Sequence, residues 1–149
     1  MEYINASDEH SIQYGFGNFM TKLLIIGCGG FIGSVARYLA SLGVQRLLEP
    51  SSFPYGTFTV NVVGCLAIGF LSQLSDRYSA FGGNARAFLI IGMLGGFTTF
   101  STFANESYNL FSDGKTAWSV LNITGQVALC LLSVWLGRLA VQLIWRTSS

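Results

Sequence analysis

Three stretches of this chain set polar side chains at helical spacing inside otherwise apolar runs. Thr57, Asn61 and Gly64 fall at i, i+4, i+7, so a helix gathers them on one stripe. The amide of Asn61 offers two N–H donors and one acceptor oxygen. Further on, Gly95-Gly96-Phe97-Thr98-Thr99-Phe100-Ser101-Thr102-Phe103 pairs glycines with β-branched threonines. That composition makes a poor continuous helix, and a break there frees backbone carbonyls and amides. Half-helix ends of this kind point partial charges at ions. Phe100 and Phe103 share a face, Ser101, Thr102 and Asn105 add hydroxyls and an amide, and Glu106 ends the run. Finally, Asn122 and Gln126 sit at i, i+4, with Thr124, Ser133 and Arg138 in the same segment. Each set suits the solvation of an ion by dipoles. Each suits equally a hydrogen bond that glues two helices, worth about 1 kcal/mol or less. On pattern alone both readings stand.

Other chemistry is excluded by what the chain lacks. His10 is the only histidine, so no His-based triad or multi-His metal site can form within one subunit. Cys28, Cys65 and Cys130 are odd in number and lie in apolar runs, which argues against a disulfide framework and for small buried hydrophobes.

These side chains need a scaffold, and composition says which kind. The chain has 149 residues, 51% hydrophobic and 10% charged, with net charge +1 and mean hydropathy +0.52. Soluble domains carry about 25% charged residues. Disorder needs low hydrophobicity, and nucleic-acid binding needs a basic patch; neither is present. The chain reads as a one-domain integral membrane protein. Four apolar segments run over Leu23–Leu48, Gly56–Ser75, Ala87–Asn105 and Thr116–Gly137. Each approaches the ~20 residues that cross ~30 Å of hydrocarbon, and length and backbone satisfaction in lipid make them helices. Residues 1–20 hold Glu2, Asp8 and Glu9 and no Lys or Arg. They read as a polar N-terminal tail, disordered or an extension, ahead of a transmembrane domain over residues 21–149. Lys22, Arg77, Arg86 and Arg146 flank one side of the membrane and Arg46 and Lys115 the other. The positive-inside rule puts the termini in the cytoplasm, on a nearly balanced signal.

Gly27-Cys28-Gly29-Gly30-Phe31-Ile32-Gly33 after a short apolar run imitates a dinucleotide fingerprint. No Tyr-x-x-x-Lys pair and no alternation of strands with amphipathic helices follows it. The competing reading is a transmembrane helix whose Gly29, Gly33 and Arg37 recur at i, i+4, i+8, leaving a face of nearly bare backbone for close helix packing.

The segment Gly95 to Glu106 resembles the signature Gly-Gly-Phe-Thr-Thr-Phe-Ser-Thr-Phe-Ser-x-Glu of the Fluc fluoride channels, the CrcB family. Gly29-Gly30-x-x-Gly33-Ser34-x-x-Arg37-Tyr38 and Gly56-Thr57-x-x-Val60-Asn61-x-x-Gly64 are similar to that family's first- and second-span signatures. The resemblance spans roughly Lys22 to Ala140. It implies an all-α membrane protein of four transmembrane helices, the third broken mid-membrane, assembled as an antiparallel dual-topology homodimer with two fluoride pores. By the same resemblance, Asn61, Phe100, Phe103, Ser101, Thr102, Glu106, Asn122 and Gln126 line the fluoride path. The backbone carbonyls of Gly95 and Thr98 hold a structural sodium ion on the dimer axis, and Gly33 and Arg37 are structural or vestibule residues. Two departures stand out: Ala104 replaces a Ser of the signature, and Asn122 and Gln126 occupy a stripe that holds Tyr and Ser in some members.

The physics agrees. Fluoride is small and strongly hydrated, so a pore must replace its water with close donors. Amides, hydroxyls and the positive edge of a phenyl ring can do so, whereas a fixed cation would trap the anion. The expected function is passive fluoride export through a multi-pass protein of the plasma (inner) membrane, with fluoride, the lipid bilayer and a second copy as partners. No enzyme activity and no nucleic acid are expected. The alternative is a small dimeric drug or cation exporter, which requires a membrane-embedded acid; Glu106 is the one candidate.

Overall fold

The computed structural model describes residues 6–78 and 81–146. Every described element is a helix: α1 (Ala6–Leu47), α2 (Tyr55–Tyr78), α3 (Gly83–Arg86), a π-helical stretch (Ala87–Leu94), α4 (Gly95–Phe97), α5 (Phe100–Ser112) and α6 (Thr116–Arg146). Four segments are long and apolar enough to cross a membrane, Gly17–Leu47, Tyr55–Arg77, Gly83–Ser112 and Thr116–Ile144. The chain is thus a multi-pass membrane protein. The spans match the apolar runs of the sequence but extend beyond them, because flanking polar residues continue a helical ladder that no proline interrupts. At the N-terminus this extension takes α1 back to Ala6, into the stretch expected as a tail; residues 1–5 lie outside the described part.

The turn after α5 follows from its sequence. Gly114 adopts φ 74°, the left-handed conformation that only glycine takes without strain. Lys115 N–H then donates to Leu110 O at 2.9 Å and Gly114 N–H to Phe111 O at 3.1 Å. These two bonds close the carbonyls that a helix C-terminus leaves open.

Two contacts order the bundle: α1 lies along the π-helical stretch and α4, and α2 lies along α6. The first is backbone against backbone. A Cβ on Gly29 would meet Phe88 O at 2.5 Å, one on Gly96 would meet Gly30 O at 2.6 Å, and one on Gly33 would overlap Met93 O. The small-residue face of the first span therefore packs on the third span of the same chain. Wider π turns at Ala87–Leu94 accompany this approach. Polarity is inverted relative to a soluble domain: Asn61, Ser107, Asn122 and Gln126 are buried, while Phe31, Tyr38 and Leu131 are exposed. Lipid on the outside accounts for that arrangement.

Candidate functional site

Between α4 and α5 the backbone leaves the helical region at two residues. Thr98 has φ −87°, ψ 156° and Thr99 has φ −150°, ψ 120°. Thr98 N–H still reaches Leu94 O at 3.1 Å. The Thr99 N–H, which in an unbroken helix would close on Gly95 O, donates instead to Asn61 Oδ1 at 2.8 Å. Asn61 Nδ2 in turn donates to Thr99 O at 3.0 Å. One side chain from α2 thereby satisfies both backbone groups of the extended residue. Thr99 then starts α5: its side chain accepts from Thr102 N–H at 3.3 Å and donates to Thr102 Oγ1 at 3.1 Å. At the end of α4, Gly96 O accepts from Arg37 Nε at 3.1 Å. Arg37 closes the glycine stripe of α1 and places positive charge at the C-terminal end of α4, where a helix dipole favours it.

From Asn61 a run of buried hydrogen bonds crosses to α6 and returns to α5. Asn61 Nδ2 donates to Gln126 Oε1 at 2.7 Å, Gln126 Nε2 to Asn122 Oδ1 at 3.1 Å, and Asn122 Nδ2 to Ser107 Oγ at 2.9 Å. Ser107 Oγ ends the run on Phe103 O at 2.8 Å. Ser119 Oγ adds a bond to Ser107 O at 2.7 Å. Buried amides are costly unless satisfied, and here each finds a partner.

Two cavities adjoin this network. One, of about 240 Å³, is lined by Asn61, Phe100, Phe103 and Gln126, with Cys65 and Cys130 farther along. The second, of about 550 Å³, is lined by Arg37, Thr57, Thr102 and Glu106 among others. Thr99 belongs to the walls of both. Glu106 Oε1 accepts from Thr57 Oγ1 at 2.8 Å, and its Oε2 is buried with no hydrogen-bond partner. Phe100 and Phe103 meet edge to face, centroids 5.4 Å apart at 61°, yet Phe103 is 7% exposed and Phe100 77%.

The site residues named from sequence thus fall into groups. Asn61, Asn122 and Gln126 form one network. Phe100 and Phe103 join Asn61 and Gln126 around the smaller cavity. Thr102, Glu106 and Arg37 share the larger one. Ser101 is exposed, and its hydroxyl shares a hydrogen bond with Thr99 Oγ1 at 3.3 Å. Gly95 and Thr98 bracket the short α4 end, and Gly33 is consumed in packing. Three residues of the network, Thr99, Ser107 and Ser119, were not among the expected site residues. Thr99 is legible in retrospect as a helix N-cap, a Thr three residues ahead of the N–H it accepts. Ser107 carries no signal of its place in the network, since Asn122 and Ser119, which bond to it from across the gap, lie on another helix.

Residues 24–138 match the family described as CrcB-like protein, Camphor Resistance (CrcB). The chain is similar to the fluoride-specific ion channel FluC of Elusimicrobium minutum, 42% identical over 127 residues, covering 84% of this chain and 97% of that protein. It is similar also to that of Geobacter sulfurreducens, 43% identical with 83% and 98% covered, and to that of Nitratidesulfovibrio vulgaris (strain DSM 19637 / Miyazaki F), 45% identical with 79% and 94% covered.

Proposed function

The chain belongs to the CrcB-like family, and we propose that it is a channel, not an enzyme, that lets fluoride leave the cell passively across the plasma membrane. The observation that carries the mechanism is the joining of Asn61, Gln126 and Phe103 around one cavity that shares Thr99 with a larger one. Fluoride enters the larger cavity and passes Thr99 into the smaller. There it takes the Asn61 N–H that otherwise rests on Gln126 Oε1. One hydrogen bond is exchanged for another, so the ion is held by a small net energy and can move on. Gln126, Asn122 and Ser107 act as one relay of reorientable dipoles behind it. The ring edges of Phe103 and Phe100 supply the remaining positive potential.

The channel works as an antiparallel homodimer with two pores. Phe100 supports this: it lines the cavity yet is 77% exposed, so the wall is incomplete on that side in one chain. The nearly balanced flanking charges suit insertion in both orientations. The extended Thr98-Thr99 segment is the mid-membrane break of the third span. The Gly95 and Thr98 carbonyls fit a structural sodium ion: Gly95 O is freed because Thr99 N–H bonds Asn61, and carbonyl oxygens suit a hard monovalent cation. When bound, that ion would tie the two breaks together across the dimer. Residues ahead of the matched segment lie outside the conducting part. The exporter alternative has no counterpart among the relatives named above.

The test is efflux from liposomes holding the purified protein, followed with a fluoride electrode and, in parallel, a chloride electrode. Fluoride release without matching chloride release is the expected outcome. Equal release of both, or neither, would overturn the reading.

A further inference from the structure

Cys65 and Cys130 lie beyond the hydrogen-bonded amides, and the helix register sets them at the same level on facing helices. Asn61 bonds Gln126, and Gly69 packs on Val134 O. Both numbers rise together, so α2 and α6 run parallel, and the pair one turn past Asn61–Gln126 is Cys65–Cys130. Neither thiol is in a disulfide, and both line the smaller cavity.

We propose that Cys65 and Cys130 form a two-coordinate site for a soft divalent cation of the mercuric class, and that its occupancy closes the cavity. Thiolates select soft metals. Among the described residues no group of three or more His, Cys, Asp or Glu gathers here, so a four-coordinate ion such as zinc is not served, whereas a linear S–metal–S bridge needs two sulfurs. On binding, two S–H bonds break, two S–metal bonds form and two protons leave to water. No electrons move. A divalent ion with two thiolates is neutral, which suits a low-dielectric site where net charge is costly. The bridged metal then fills space beside Asn61 and Phe103. Cys28, exposed on α1, lies in an apolar groove elsewhere and is removed so that the thiol count reads the pair alone.

The experiment uses mercuric ion on the full chain in a Cys28→Ser background. One arm counts free thiols in detergent and does not depend on the fluoride reading; the other measures fluoride efflux, each variant normalised to its own metal-free rate. One equivalent of mercuric ion per chain should silence both thiols and block efflux, with recovery on adding a dithiol chelator. Adding Cys65→Ser or Cys130→Ser should raise the half-blocking concentration at least tenfold. A need for two equivalents, or unchanged sensitivity in both variants, would overturn the site. Silenced thiols with undiminished efflux would overturn the block. A chain whose thiols pair as expected but which never conducts fluoride would sustain the site and sink the channel reading instead.

Discussion

Along α1 the bundle is held by glycine faces laid against the π-helical stretch and α4, with Gly29, Gly33 and Gly96 within Cβ clash distance of backbone. Along α2, α5 and α6 it is held by amides and hydroxyls that bond across the gap, from Asn61 through Gln126 and Asn122 to Ser107. The glycine seam is dry and close, and its strength lies in contact area that tolerates no added atom. The amide seam leaves space beside it, and its amides and hydroxyl can each both donate and accept. An ion path belongs on the second kind of seam. The break at Thr98-Thr99 joins the two: Arg37 from the glycine side holds Gly96 O, and Asn61 from the amide side holds Thr99.

The comparison can be broken first at the glycine seam. Gly33→Leu drives a side chain into Met93 O, and overpacking of this sort costs about 3 kcal/mol. Thermal unfolding in detergent should show a lowered midpoint and poor recovery of assembled protein. An unchanged midpoint would mean the seam can open. On the amide side, Phe100→Ile and Phe103→Ile should keep assembly and each slow efflux several-fold to tenfold, since a ring edge contributes about 1 kcal/mol and ~1.4 kcal/mol is a factor of ten. If the pair only packs, the loss should appear in dimer stability instead, by size-exclusion chromatography. The smallest change is expected at Thr98→Ser, which keeps a hydroxyl able to reach Leu94 O as Thr98 now does at 3.1 Å. Efflux should fall less than about twofold if, as proposed, the backbone carbonyl and not the methyl group is the working part. A large loss there would assign the role to Thr98 Cγ2, which abuts the Cβ position of Gly64.

Much of this was legible before any coordinates. The four spans follow from hydropathy. The Thr57–Asn61–Gly64 and Asn122–Gln126 stripes follow from helical period, and the poor helix at residues 95–99 from propensity. What periodicity does not encode is which helix a stripe faces. The Gly29–Gly33 stripe promised close packing without naming the third span as its partner. Asn61 left pore and glue as alternatives, and the structure shows one amide bridging the break and α6 at once. Thr99 was passed over beside Thr98, though the N-cap pattern marked it. Ser107 was passed over because its value depends on Asn122, fifteen residues on and on another helix.

The claim that conduction runs along the amide seam is tested most directly by Asn61→Asp, with fluoride efflux and assembly measured on the same preparation. The new carboxylate can keep Thr99 N–H as a donor, and a flip of the Gln126 and Asn122 amides turns a second donor toward it. A fixed negative charge beside the path repels fluoride by about 4 kcal/mol at 4 Å and an effective dielectric of ~20. Assembled dimer with efflux reduced at least a hundredfold is the predicted result. Assembled dimer with wild-type efflux would contradict the account and return Asn61 to the role of helix glue.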